Sequence, residues 1–102
     1  PTPDFVFGNA EDAISHSPNV IDGDVFLDTQ FHFYMENQNA LVEPTDDGFE
    51  VHCATQYLDN VQNAVAQALG LNANNINVKI KQLGGGYGGK ITRANITATA
   101  AA

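Results

Sequence analysis

Five of the seven residues in Gly84-Gly85-Gly86-Tyr87-Gly88-Gly89-Lys90 carry no side chain. Such a run lets backbone N–H groups approach a ligand closely and adopts positive φ freely, at an entropic cost on folding. Before it, Val78-Lys79-Ile80-Lys81-Gln82-Leu83 alternates apolar and polar residues, the period of a strand. After it, Ile91-Thr92-Arg93-Ala94-Asn95-Ile96 and an alanine-rich end read as the start of a helix. A strand, a glycine turn and a helix hold anionic ligands well, because a helix N-terminus presents unpaired N–H groups. The competing expectation is a purely structural turn.

The remaining chain predicts an α+β fragment. Residues 1–18 read as a linker, with one short helix near Asn9–Ser15 capped by Asn9. Asn19–Gln30 is expected to form a strand centred on Val25-Phe26-Leu27. The aromatic cluster Phe31-His32-Phe33-Tyr34 predicts a buried segment or a pocket wall. Asn39–Glu43 reads as a strand stopped by Pro44. Asp47-Gly48 marks a hairpin turn, and Phe49–Ala54 is the returning strand. Leu58, Val61, Val65 and Leu69, with Ala64 and Ala68 beside them, have helical spacing. Thr55 is the expected N-cap and Gly70 the C-terminal stop.

Charge narrows the partners. The chain has 102 residues and a net charge of −8, the wrong sign for phosphate-rich nucleic acid. Every acid lies at or before Asp59, whereas the four bases are Lys79, Lys81, Lys90 and Arg93. The basic end is thus the glycine end, which suits either an anionic cofactor or acids brought close by the fold. No run of 18 apolar residues is present, so no membrane partner is expected. One cysteine, Cys53, permits no intrachain disulfide and points to a reducing, cytoplasmic compartment. A first residue other than Met and a last residue inside an expected helix suggest part of a longer protein.

Other motifs are weaker. Gly84, Gly89 and Lys90 match a phosphate-binding P-loop, but Ile91 stands where Ser or Thr should hold Mg²⁺. Thr92 arrives one residue late, about 100° away around a helix. Gly84, Gly86 and Gly89 also fit a dinucleotide fingerprint, yet a hairpin and a helix precede them. His16, His32 and His52 lack metal-ligand spacing. Glu36, Glu43 and Glu50 read as solvated residues without a catalytic role, and Cys53 as a small buried hydrophobe. The Asn95-Ile96-Thr97 sequon falls in an expected helix and reads as chance.

The segment Lys79-Ile80-Lys81-Gln82-Leu83-Gly84-Gly85-Gly86-Tyr87-Gly88-Gly89-Lys90 resembles the molybdenum-binding domain of the xanthine dehydrogenase and aldehyde oxidase family. Gln30-Phe31-His32-Phe33-Tyr34-Met35-Glu36 resembles that family's Gln-x-His-Phe-Tyr-x-Glu segment, and the helix ending in Leu69-Gly70-Leu71 resembles the element between them. Together they cover residues 19–102, which the resemblance makes a partial molybdopterin-binding domain.

The resemblance implies a molybdenum–molybdopterin cofactor. Gln30 matches a glutamine whose side-chain amide sits beside the molybdenum. Tyr87 matches an aromatic residue, usually Phe, whose backbone N–H points at the metal centre. Gly85, Gly86 and Gly88 would let the pterin lie against bare backbone. In xanthine dehydrogenases a purine-binding glutamate follows Gly-Gly-Lys, and here that position is Ile91. An aliphatic residue in this part of the substrate pocket favours the aldehyde oxidase branch, because a purine needs polar partners. The family oxidises aldehydes or N-heterocycles with water as the oxygen source, and its full-length members carry 2Fe-2S clusters and FAD and are homodimers. The family's catalytic glutamate lies outside the matched segment, so the chain alone is expected to be inactive. Two alternatives from other classes are a phosphate- or nucleotide-binding module and a non-catalytic interaction fragment.

Overall fold

A computed structural model describes residues 7–27 and 32–102. Its elements run α1 (Ala10–His16), β1 (Ala40–Thr45), β2 (Gly48–Cys53), α2 (Leu58–Leu69), a 3-10 turn (Ala73–Asn75), β3 (Ile76–Lys79) and α3 (Arg93–Ala101). The sheet order is β1-β2-β3. The arrangement is α+β, as the patterning predicts.

β1 and β2 form an antiparallel hairpin, with Ala40 opposite Cys53 and Thr45 opposite Gly48. Its turn is Asp46-Asp47. Gly48 cannot be replaced without disruption, because a Cβ there would lie 1.9 Å from the Asn75 carbonyl oxygen. β1 continues through Pro44 rather than stopping at Glu43. An edge strand tolerates a residue that donates no ladder hydrogen bond. β2 pairs in parallel with β3, Val51 opposite Val78, so the connection must cross over. α2 is that crossover.

Val51, Cys53, Val61, Val65, Ala66, Ile76, Ala94 and Ala98 make the buried core. Val51, Val61 and Val65 are fully buried, and each such side chain contributes about 1.5–3 kcal/mol of burial. The α2 stripe turns slightly from the expected one: Ala66 is buried in place of Ala68. Gly70 ends the helix at φ 68°, and the Leu71 N–H closes on the Ala66 carbonyl at 2.9 Å. This is the glycine-terminated stop expected of that position.

Four expectations shift. Residues 19–27 form no strand, consistent with their broken alternation, and 28–30 lie outside the described residues. The third strand is Ile76–Lys79, so the alternating run leaves the sheet at Ile80. Thr55 does not cap α2. Tyr57 holds the N-cap position, while the Thr55 hydroxyl accepts from Tyr57 N–H at 3.0 Å and donates to the Lys90 carbonyl at 3.2 Å. Phe33 and Met35 are 94% and 98% exposed, so the aromatic segment is not core. α1 does form, with the Asn9 side chain accepting from Asp12 N–H.

Candidate functional site

The aromatic segment acts as a wall beneath the glycine loop. Tyr34 is buried, and an added Cβ at Gly85 would come 3.0 Å from its Cβ. At Gly89 an added Cβ would lie 2.7 Å from His32 Nδ1 and 2.9 Å from Tyr34 Cε1. Close packing thus demands glycine where the two segments touch. The loop also bends through positive φ at Gly85 (99°), Tyr87 (47°) and Gly88 (89°). Such a conformation is unusual for an aromatic residue and persists only where surrounding contacts determine it.

Those contacts come from two side chains. Glu36 Oε2 accepts from Gly84 N–H at 2.8 Å and from Lys90 Nζ at 2.6 Å. Gln56 Oε1 accepts from Gly88 N–H at 2.9 Å and Lys90 N–H at 3.3 Å, while Gln56 N–H donates to the Lys90 carbonyl at 3.0 Å. The loop is closed internally by Gly89 N–H to Gly86 carbonyl at 2.7 Å. Lys90 is fully buried, its ammonium 4.5 Å from the Tyr34 ring centroid. Hydrogen bonding from Lys90, then from Gly84 N–H, holds the Glu36 carboxyl below the usual carboxylate range.

These bonds leave a definite set of donors. Among the described residues, no acceptor meets the N–H groups of Gly85, Gly86 or Tyr87. Successive unclaimed N–H groups suit an anionic, oxygen- or sulfur-rich ligand. An added Cβ at Gly88 would have His32 Nε2 at 4.0 Å as its nearest neighbour, so that side of the loop has room. The Tyr87 side chain is 77% exposed. Donor chemistry and free space therefore fit a group such as molybdopterin.

Of the residues singled out from sequence, Gly85, Gly86, Tyr87 and Gly88 lie together in this loop, and Ile91 follows it, partly exposed. Gln30 lies outside the described residues. The basic end balances acids brought close by the fold: Lys90 pairs with Glu36 and Lys79 with Glu50. A buried, paired Lys90 cannot serve as the phosphate cation of a P-loop. Glu36 is not an idle surface acid, and Gln56 was not singled out by any motif. Acceptor bonds to such distant partners leave no trace in residue spacing.

His52 lies 2.9 Å from Glu50 and 3.7 Å from Glu43 on the exposed sheet face, where Lys79 already supplies a cation. Cys53 is buried beside the Ala94 carbonyl, and burial pushes its thiol pKa up. No described helix is long and apolar enough to cross a membrane.

The glycine loop, braced by an acid and an amide and with three N–H groups that meet no acceptor among the described residues, has the donor geometry of an anion-binding element. The chain belongs to the molybdopterin cofactor-binding domain family, whose model matches residues 2–102. It is 39% identical over its whole length to "Probable aldehyde oxidase 3" of Oryza sativa subsp. japonica. It is 36% identical to "Aldehyde oxidase 1" of Oryctolagus cuniculus over 94% of the chain, and to "Xanthine dehydrogenase/oxidase" of Felis catus over 91%. The chain spans about 7% of the length of each of these oxidoreductases.

Proposed function

We propose that this chain supplies part of the molybdopterin site of a longer aldehyde oxidase-type enzyme that converts aldehydes to carboxylic acids with water as oxygen source. The observation that carries this reading is the row of three unclaimed N–H groups in a loop whose other donors are already bonded. When bound, the molybdenum–molybdopterin group supplies the redox chemistry. The chain's own residues hold and orient it. Gly85, Gly86 and Tyr87 donate N–H groups already fixed in direction, which is the efficient way to stabilise charge in a site. Gly88 keeps the backbone bare for close approach, whereas Gly86 leaves room for the Gln56 amide packed against it. The family resemblance gives Gln30, which lies outside the described residues, the part of a side-chain amide that would help hold the group.

Ile91 carries the preference for aldehydes. Its side chain offers a purine no hydrogen bond, and a purine-binding site missing a polar partner loses discrimination. The second reading, a xanthine dehydrogenase-type purine hydroxylase, is supported by a relative of that name at the same identity as an aldehyde oxidase. The longer enzyme carries 2Fe-2S clusters and FAD, acts as a cytoplasmic homodimer and contributes the catalytic glutamate from elsewhere.

The test is purification of the full-length protein, with molybdenum and pterin assayed and turnover compared on aldehydes and purines. Stoichiometric cofactor and preferred aldehyde turnover are expected, with Gln30→Ala lowering that turnover at full metal loading. Loaded protein that hydroxylates purines and ignores aldehydes overturns the substrate. Protein that retains ATP and holds no molybdenum overturns the whole reading in favour of a nucleotide-binding module.

A further inference from the structure

Gln56 sits at the junction between β2 and α2, exposed, and belongs to no motif that marks the cofactor loop. Yet it makes three hydrogen bonds to that loop, more than any other residue among those described. Its Oε1 accepts from Gly88 N–H at 2.9 Å and Lys90 N–H at 3.3 Å, and its backbone N–H donates to the Lys90 carbonyl at 3.0 Å. Both side-chain partners are donors, so the amide orientation is determined: the oxygen must face the loop. The contact is also tight, since an added Cβ at Gly86 would fall 2.4 Å from Oε1.

This places Gln56 on both sides of Tyr87. It grips the residue immediately after Tyr87 and packs on the residue immediately before it. Tyr87 holds φ at 47° between those two contacts. Gln56 also consumes Gly88 N–H, so the donors left for a ligand end at Tyr87.

We infer that Gln56 is a positioning residue for the cofactor loop: its carbonyl oxygen fixes the Tyr87 backbone and decides which N–H groups face the molybdopterin. This rests on the proposed function. The essential property is the double acceptor, so a carboxylate of the same length preserves it and a thioether does not.

The experiment compares wild type, Gln56→Glu and Gln56→Met in the full-length protein. It reads molybdenum and pterin content, the molybdenum EPR signature, kcat and KM, and amide hydrogen exchange across residues 84–90. Partners that orient a metal site's own ligands are worth about 10–100-fold in affinity or activity. Q56M is expected to lose about tenfold in kcat or in cofactor retention, shift the EPR signal and speed exchange at Gly88 and Lys90. Q56E is expected to keep the wild-type signal and slow exchange. Should Q56M fail to fold, Gln56→Asn, one methylene shorter, replaces it with the same expected losses. Undiminished Q56M (or Q56N) at full loading overturns the inference alone, as does Q56E damaged as badly as Q56M. Wild-type protein without molybdenum or pterin overturns the proposed function, and this inference with it.

Discussion

Lys90 and Glu36, 54 residues apart in sequence, meet at 2.6 Å beneath the glycine loop, and the lysine is fully buried. The carboxylate reaches both ends of the loop, bonding Gly84 N–H as well as the Lys90 ammonium. Removing one partner leaves a buried charge without its counterion, which typically costs about 3–5 kcal/mol. Glu36→Gln is therefore expected to destabilise the fold by about 3 kcal/mol. Glu36→Gln combined with Lys90→Met should cost less than the two single changes added together. Denaturant unfolding of the four proteins in a double-mutant cycle measures this, and simple additivity would refute the coupling.

The same pair sets an acid limit. Lys90, then Gly84, lowers the Glu36 pKa in the folded state below its unfolded value. The folded state thus binds its proton less readily than the unfolded chain. The contribution is fully present above the unfolded pKa and is lost as pH falls through the folded one. Glu50 is lowered too, chiefly by Lys79, but that pair is exposed. Added salt should therefore flatten the Glu50 share and spare the Glu36 share. Unfolding midpoints against pH at low and high salt, for wild type, Glu36→Gln and Glu50→Gln, check both statements.

Two glycines should respond differently to alanine. At Gly48 the added Cβ meets the Asn75 carbonyl oxygen at 1.9 Å, with backbone atoms that cannot swing aside. At Gly70 the space is open, and only the left-handed φ of 68° opposes a side chain. Gly70→Ala is expected to cost about 1 kcal/mol, and Gly48→Ala more than about 3 kcal/mol or the fold itself. Thermal unfolding ranks them, and equal losses would contradict the steric account.

Cys53 should behave as a silent thiol. Burial raises its pKa, so little thiolate forms near neutral pH. Its alkylation should require opening of the β2–α3 contact and so be slow in the native protein. Labelling followed by mass measurement, with and without denaturant, checks this. Fast native labelling would show that the contact with Ala94 is not kept.

Under the proposed function, Ile91→Glu in the full-length protein tests substrate preference. A carboxylate at this position gives a purine a polar partner, and one such hydrogen bond is worth about 1–3 kcal/mol of discrimination. The ratio of purine to aldehyde kcat/KM should rise at least about tenfold. An unchanged ratio would remove Ile91 from the substrate pocket.

Local signals in the sequence were legible where the chemistry is local. The Asn9 cap, the valines of α2 and the Gly70 stop each act within a few residues, and the fold contains them; the hairpin turn also forms, on Asp46-Asp47, one residue before the expected Asp47-Gly48. The glycine run predicts close approach of a ligand, and at Gly85 and Gly89 the close neighbours are the chain's own Tyr34 and His32. Tertiary context decided the rest. Phe33 and Met35 look like core by composition, but the chain bends here, with Phe33 at a φ of 46°, and leaves both exposed on either side of the buried Tyr34. Val78-Lys79-Ile80-Lys81 has strand period, yet β2 pairs only as far as Lys79. Thr55 has the side chain of a helix cap and spends its hydroxyl on Tyr57 and Lys90 instead. Glu36 and Gln56 find partners 32 to 54 residues away, a distance at which spacing carries no signal.

The hairpin turn joins β1 and β2 across two residues, whereas the struts under the glycine loop span much longer stretches of chain. Closing a long loop loses more chain entropy than closing a short one, and the reward comes only after the ends have met. Sheet pairing and the α2 crossover are therefore expected to precede the cradle in assembly, an order that amide exchange across residues 84–90 would check. A ligand that ties Gly85, Gly86 and Tyr87 together would act as a keystone, holding the cradle in its working shape.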